Sequence, residues 1–364
     1  MKGSNTTLGV FIVCLQVLLR HRKYLFFTLF FILFPLYIII NRLFLFLDHI
    51  LFFNFEKEEI KNPIFIMGFN RSGTTFFHHL LSKSQQFTTS TTWDFVIPSL
   101  SLKKVLWFIR PILSVLNLDQ LETKEKGHKV SLDDIEEDEM LLFLHKLDSK
   151  WLSNNFIPWM KYDTKFKSFT SKLYIDSTNN EKRNMSSMHF VKQFWKRQTF
   201  MHHRKQLLSK SNPFVFRVQS IMKVFPDAKI IHLKRDARAT CWSIYKHYFS
   251  DAGNGWAYNL DDLAKFYKLY VDLMNYWHEL YPGKIYDISY EELTSKQEKE
   301  TRKLIEYCGL DWDPNCLNFH ENKRDVKTAS ALQVRKKMYQ GSSEVWKKYE
   351  DYLQPLIKGL KYYE

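Results

Sequence analysis

Arg71, Ser72, Gly73, Thr74 and Thr75 stand together between an apolar run that ends at Gly68 and a helical pattern that starts near Phe76. An arginine among hydroxyls and a glycine is a group suited to oxyanions, because the planar guanidinium offers a fork to two oxygens at once. A tight loop that opens a helix also turns unpaired N–H groups inward, under the positive end of the helix dipole. The natural guest of such a loop is phosphate or sulfate. The spacing Gly68-x4-Gly73 copies the nucleotide-triphosphatase loop G-x-x-x-x-G-K-[ST], but Thr74 stands where that loop needs its lysine, which argues against an ordinary ATPase or kinase. Here Arg71 supplies the cation from inside the loop.

A second group of the same kind lies further on. Lys229 to Leu233 reads as a strand, Arg235 and Asp236 close it, and the helix that follows carries Ser243. An arginine at a strand end facing a hydroxyl on the next helix makes a second anion pocket, which a ligand with phosphates at both ends requires.

The elements that must hold these groups are those of an α/β chain. Ile64 to Gly68 is a β-branched and aromatic run, and Phe76, Phe77, Leu80 and Leu81 repeat with helical spacing. Residues 261–281 form a long amphipathic helix, GKIYDISYEEL a strand ending in Tyr290, and Gln297 to Cys308 another helix. Phe190 to Leu208 is helical and so basic that it reads as a solvated or membrane-facing surface. Lys124 to Leu147 is a charged loop with Ser131 as the expected cap of a helix whose first turn is acidic, leaving His128 just outside it. Asp94, beside Trp93 in an apolar stretch, is an isolated acid that must be either solvated or functional.

With 364 residues, 45% of them apolar, the chain has ample material for a core, and its net charge of +14 favours an anionic partner. Cys14, Cys241, Cys308 and Cys316 are too sparse for a disulfide framework and lack metal-site spacing, so they read as free thiols. The N-terminus is membrane material: residues 8–19 are apolar apart from Gln16, a basic cluster follows, and Tyr24 to Ile40 is a 17-residue apolar run. Asn41 and Arg42 interrupt it before a further apolar stretch to Phe53. Seventeen residues lie at the lower limit for a hydrocarbon core about 30 Å thick, which leaves both a full span and an in-plane hairpin open. A cleaved signal peptide fits poorly, because the basic cluster lies between two apolar runs. The expected division is a hydrophobic membrane-associated segment, 1–55, and a catalytic domain, 56–364, joined through EKEEIK.

Taken together, GFNRSGTT, the block from SKSNP to FPDAKIIHLKRD, and the tail segments SYEEL, YCGLDWDPNC, TASALQV and SSEVWKKYE resemble the sulfotransferase family over about residues 62–360. The likeness is to its bacterial membrane-associated and tetratricopeptide-linked branch and, more distantly, to tyrosylprotein sulfotransferases. The resemblance implies a P-loop-like three-layer α/β fold with a central parallel sheet, and 3′-phosphoadenosine 5′-phosphosulfate as donor. It implies that Arg71, Ser72, Gly73, Thr74 and Thr75 hold the 5′-phosphosulfate and that Arg235 and Ser243 hold the 3′-phosphate, with Tyr290 and Ser330 closing over the nucleotide. Lys210 matches the lysine that reaches the transferring sulfuryl group, Asp94 falls where tyrosylprotein enzymes place their catalytic glutamate, and His128 matches a histidine motif of the bacterial branch. One departure is visible: Val345, not a basic residue, precedes Trp346, with Lys347 or Lys348 as possible substitutes.

The expected activity is transfer of a sulfuryl group to an acceptor hydroxyl, on a lipid or glycan by preference, without a metal and without a nucleic-acid partner. Arg71 and Lys210 stabilise the departing charge, and either Asp94 or His128 takes the acceptor proton. A neutral imidazole near its unperturbed pKa of about 6.5 favours His128. The expected location is a membrane with the catalytic domain on its cytoplasmic face; a Golgi-type enzyme facing the lumen is the alternative. The rival from another class is a non-catalytic membrane protein whose net charge binds anionic headgroups or nucleic acid.

Overall fold

Residues 64–68 are apolar or glycine at every position, the pattern of a strand covered on both faces. In the structure, a computed structural model, Ile64–Gly68 (β1) is buried throughout. The structure describes residues 6–84, 86–116, 119–122, 129–133, 135, 140–166, 173, 175–176, 180–203, 206–247, 255–317, 340–361 and 363. Phe65 and Met67 enter one core cluster with Val218, Phe225 and Ile230, while Ile64 and Ile66 enter another with Phe77, Leu80 and Leu304. That alternation is the period of two a strand imposes.

The remaining strands are Phe87–Thr88 (β2), Gln120–Glu122 (β3), Lys129–Ser131 (β4), Gln206–Lys210 (β5), Lys229–Lys234 (β6) and Ile285–Ser289 (β7). Five of them form a sheet in the order β2-β5-β1-β6-β7, every pairing parallel, while β3 and β4 make a separate antiparallel pair. Helices cover both faces: Glu181–His202, Val218–Val224 and Leu260–Leu280 on the Phe65 side, Thr74–Leu81 and Gln297–Cys308 on the Ile64 side. This is the three-layer α/β arrangement around a parallel sheet. From β1 the chain builds outward to β2 and β5 on one side and to β6 and β7 on the other, so the carboxyl end of β1 is a topological switch point, where open α/β sheets hold their ligands.

The N-terminal segment departs from the expected interruptions. Thr7–Arg20 (α1) and Tyr24–Leu51 (α2) pack together, and α2 runs for 28 residues straight through Pro35, Asn41 and Arg42. Asn41 is buried and donates from Nδ2 to the Tyr37 carbonyl of its own helix at 2.9 Å. Asp48 is fully buried. Its carboxylate accepts from Ser99 Oγ, from Leu100 and Ser101 N–H, from Ser101 Oγ, and from Arg197 Nε at 2.8 Å. Arg197 is therefore no part of a solvated basic face; it is an interior cation whose partner sits on the N-terminal helix. Asn41 and Arg42, which read as breaks, stay within the helix, and Asp48, in the apolar stretch beyond them, is the residue that fastens α2 to the sheet domain.

Two smaller differences follow from local hydrogen bonding. Ser131 does not cap a helix: it ends β4, and its Oγ accepts from Asp133 N–H. Tyr290 does not end a strand but begins the helix Tyr290–Ser295, because Ser289 Oγ accepts from Glu292 N–H in an N-cap.

Candidate active site

At the end of β1 the chain turns through Asn70 and Arg71 into the helix Thr74–Leu81 (α3). Arg71 and Gly73 both take positive φ, +66° and +100°. Arg71 bears the strain of that conformation, whereas Gly73 avoids it. A Cβ on Gly73 would also lie 2.7 Å from the Tyr290 ring, and one on Gly68 would lie 2.7 Å from both the Leu233 carbonyl oxygen and Ser72 Oγ. Both glycines are thus required by close approach. Ser72 is 1% exposed, and among the described residues its hydroxyl has no hydrogen-bond partner. A buried hydroxyl without a partner is costly unless something meets it; in an anion-binding loop, a ligand oxygen would.

Around this loop the parallel sheet gathers cations at neighbouring strand ends. Arg235, just past β6, donates from Nη1 to the Arg71 carbonyl at 2.9 Å and from Nη2 to the Ser342 carbonyl at 3.0 Å, and its guanidinium lies 4.8 Å from the centre of the Tyr290 ring. Arg71 Nε donates to Ser243 Oγ at 3.4 Å. Among the described residues no carboxylate forms an ion pair with Arg235, and burial pulls its guanidinium down from the ordinary value. Lys246, one turn beyond Ser243, is pulled down as well, first by desolvation and then by the charges of Arg71 and Arg235. Three cations that repel one another beside a buried, partnerless hydroxyl make a site suited to an anion.

The other half of the site lies on β5. Lys210 is its last residue, opposite Ile66 of β1, and its Nζ donates to Thr75 Oγ1 at 3.3 Å. Thr74 Oγ1 donates to Asn212 Oδ1 at 2.8 Å, and Asn212 Nδ2 donates to Asn70 Oδ1 at 3.1 Å. The structure thus brings Arg71, Ser72, Gly73, Thr74, Thr75, Lys210, Arg235, Ser243 and Tyr290 into one contiguous set. His128 and Ser330 lie outside the described residues.

Asp94 stands apart from that set. It closes a capping box with Thr91, accepting from the Thr91 N–H at 2.8 Å, and pairs with Lys103 Nζ at 2.6 Å. Among the described residues it makes no hydrogen bond to the loop. Burial alone would raise its pKa, but the Lys103 ammonium and the Thr91 hydrogen bonds prevail and hold the carboxyl below the ordinary range. It is an ionised carboxylate with structural work of its own.

Asn70, Asn212, Ser342, Ser343, Glu291 and Lys246 also stand at this end of the sheet, and nothing in their local sequence singles them out. Ser343 Oγ donates to Glu291 Oε1 at 2.6 Å, and Ser342 Oγ to the Tyr290 hydroxyl at 3.2 Å, which sets the tail beside Arg235. Asn212 falls within SKSNP and the two serines within SSEVWKKYE, motifs that carry the resemblance without marking these residues. At the position where a basic residue was lacking, Lys347 pairs with Glu344 at 2.9 Å, and Arg238 stacks 4.6 Å above Trp346. Away from the loop, His232, His278 and Asp287 lie close enough together to hold an ion, but the Asp287 carboxylate already meets both imidazoles and has Lys234 at 3.5 Å.

Comparison with known proteins agrees with this fold. An uncharacterised protein of Aquifex aeolicus is 40% identical over 143 residues, 39% of this chain but only 19% of its own length. The omega-hydroxy-beta-dihydromenaquinone-9 sulfotransferase Stf3 of Mycobacterium bovis is 27% identical over 285 residues, 74% of this chain and 69% of its own. The crystal structure of the sulfotransferase STF1 from Mycobacterium tuberculosis superposes with a TM-score of 0.57 at 17% identity, over 85% of this chain and 84% of that one, a likeness of fold. The sequence profile of the sulfotransferase family matches residues 63–314, from the first strand of the sheet to beyond the helix Gln297–Cys308, and the chain belongs to that family.

Proposed function

We propose that the protein transfers a sulfuryl group from 3′-phosphoadenosine 5′-phosphosulfate to a hydroxyl of a membrane lipid, with residues 56–364 as the catalytic part and 1–55 as its membrane-attached segment. The observation that carries the reading is the pairing of two anion sites at adjacent strand ends: the Arg71–Thr75 loop with its partnerless Ser72 hydroxyl, and Arg235 with Ser243 beside it. A nucleotide phosphorylated at both ends of its ribose needs two such sites. The lipid acceptor is supported by the apolar N-terminus and by the hydroxylated quinone in the name of the mycobacterial relative. Kinship with bacterial proteins supports a cytoplasmic catalytic face over a Golgi lumen.

The donor supplies an activated sulfuryl group; the chain must position it, receive the charge that develops and remove one proton. Loop N–H groups, Ser72, Thr74 and Thr75 hold the 5′ end, and Arg235, Ser243 and Tyr290 the 3′ end, with Ser330 closing over the nucleotide. Arg71 and Lys210 stabilise charge on the leaving phosphate oxygen, in general the largest contribution to such catalysis. The acceptor oxygen forms its bond to sulfur as the bond from sulfur to the phosphate oxygen breaks, and its proton passes to a base.

His128 is the proposed base and Asp94 the second candidate, because a carboxylate held low by Lys103 accepts a proton weakly. His128→Ala is expected to cut turnover by about 10²-fold or more with donor affinity intact. Asp94→Asn is expected to act mainly on stability by leaving Lys103 unpaired, which thermal unfolding alongside initial rates would separate. Full stability with turnover abolished in Asp94→Asn would reverse the assignment.

The donor pocket is tested by calorimetry with 3′-phosphoadenosine 5′-phosphate. Arg235→Ala removes a charge-assisted contact worth about 1.5–3 kcal/mol, so affinity should fall about 10- to 100-fold. Unchanged affinity would remove Arg235 from the pocket.

A further inference from the structure

The helix α2 is long and apolar enough to cross a bilayer, yet both of its ends are fastened to the same body. At its start, Arg20 Nε and His21 Nε2 meet Asp163 Oδ2 at 3.0 and 3.1 Å, and Lys23 lies 5.0 Å over the Trp159 ring. Towards its end, Asp48 is buried against Arg197 and the Ser99–Ser101 turn. Between these points an inward stripe at heptad spacing keeps contact: Phe30 and Phe34 pack on a core cluster, the Tyr37 hydroxyl donates to the Val96 carbonyl at 2.8 Å, and Asn41 is buried. A helix pinned at both ends to one domain cannot place those ends on opposite sides of a membrane. Its outward face is nevertheless apolar and exposed, as at Phe31, Leu36, Ile39 and Leu43.

A second apolar surface adjoins it. The helices Leu100–Val105 and Ile109–Val115 turn Leu106 and Leu113 inward to a cluster that also takes Phe44 of α2, and leave Trp107, Phe108, Ile112, Val115 and Leu116 exposed, Val115 by 81%. Exposed aromatics beside the basic residues Lys104 and Arg110 have the composition of an interfacial segment facing anionic headgroups. Lys103, on the first of these helices, is the partner of Asp94, so this surface is tied to the second candidate base.

We infer that residues 100–116 and the outer face of α2 form one docking surface for a single leaflet of an anionic bilayer, which holds the protein on one side of the membrane. This rests on the reading of the chain as membrane-attached, but it specifies the surface and excludes a span.

Cys14, Cys241, Cys308 and Cys316 are all buried, so single exposed cysteines can be placed in the full chain. An environment-sensitive fluorophore on Phe31→Cys, Val115→Cys or Lys296→Cys would be read in phosphatidylglycerol–phosphatidylethanolamine vesicles carrying spin-labelled lipid. Quenching at Phe31 and Val115 but not at Lys296 is expected. Quenching at Phe31 without Val115 overturns the docking surface while membrane attachment stands; no quenching at either position overturns the attachment as well. In sealed membrane vesicles, a membrane-impermeant maleimide should label Arg22→Cys and Lys296→Cys from the same side, and labelling from opposite sides would establish a span and overturn the inference.

Discussion

Replacing Lys210 with alanine is expected to lower turnover by about 10²- to 10³-fold, the usual cost of removing one preorganised donor aimed at developing charge. The side chain ends β5, is 6% exposed and reaches Thr75 at the start of α3, so it points into the loop and not to solvent. Strand pairing at this position is made by the backbone, between Lys210 and Ile66, and survives the substitution. Affinity for the desulfonated nucleotide should therefore change much less than the rate. Single-turnover rates and calorimetry on the same preparation check both halves, and a near-normal rate would take Lys210 out of the catalytic role.

Asp48→Asn is expected to destabilise the protein by about 3–5 kcal/mol, the range found when one partner of a buried ion pair is removed. Arg197 is 2% exposed and among the described residues its carboxylate partner is Asp48, so the substitution strands a cation in the interior. Asparagine also cannot accept all the hydrogen bonds that the Ser99–Ser101 turn donates. Thermal unfolding in detergent should show the loss, and adding Arg197→Met should restore part of it, because two uncharged side chains leave no buried charge uncompensated. Equal stability of Asp48→Asn and wild type would show that α2 is a dispensable attachment. The same contact predicts that deleting residues 1–53 yields a poorly stable domain.

The sheet and the loop were legible because their signals are local. In IFIMGFNRSGTTFF a continuous apolar run gives way to helical spacing across a glycine-bounded loop, and the block around Arg235 repeats the pattern; such changes identify a strand, a turn and a helix without knowledge of distant partners. The continuity of α2 was not legible, because Asn41 and Arg42 have the character of breaks, and the contact that fastens the helix, Asp48 with Arg197, joins residues 149 apart. Asp94 is a different case. Thr91 stands three residues before it, the spacing of a capping box, so its structural role was written in the sequence. Its pairing with Lys103 was not, since the two lie on separate short helices, Thr92–Val96 and Leu100–Val105. Ser342 and Ser343 belong to a quoted motif, but only the fold brings them to Arg235.

The most direct measurement is transfer itself. Purified full-length protein would be incubated with sulfur-labelled 3′-phosphoadenosine 5′-phosphosulfate and a bacterial membrane lipid extract, and label followed into the organic phase. The account predicts saturable transfer to a hydroxyl-bearing lipid, inhibited by 3′-phosphoadenosine 5′-phosphate and lost in Lys210→Ala. Absence of transfer to lipid, glycan or protein, together with nucleotide binding that is weak and collapses with added salt, would contradict it and favour a non-catalytic anion-binding protein.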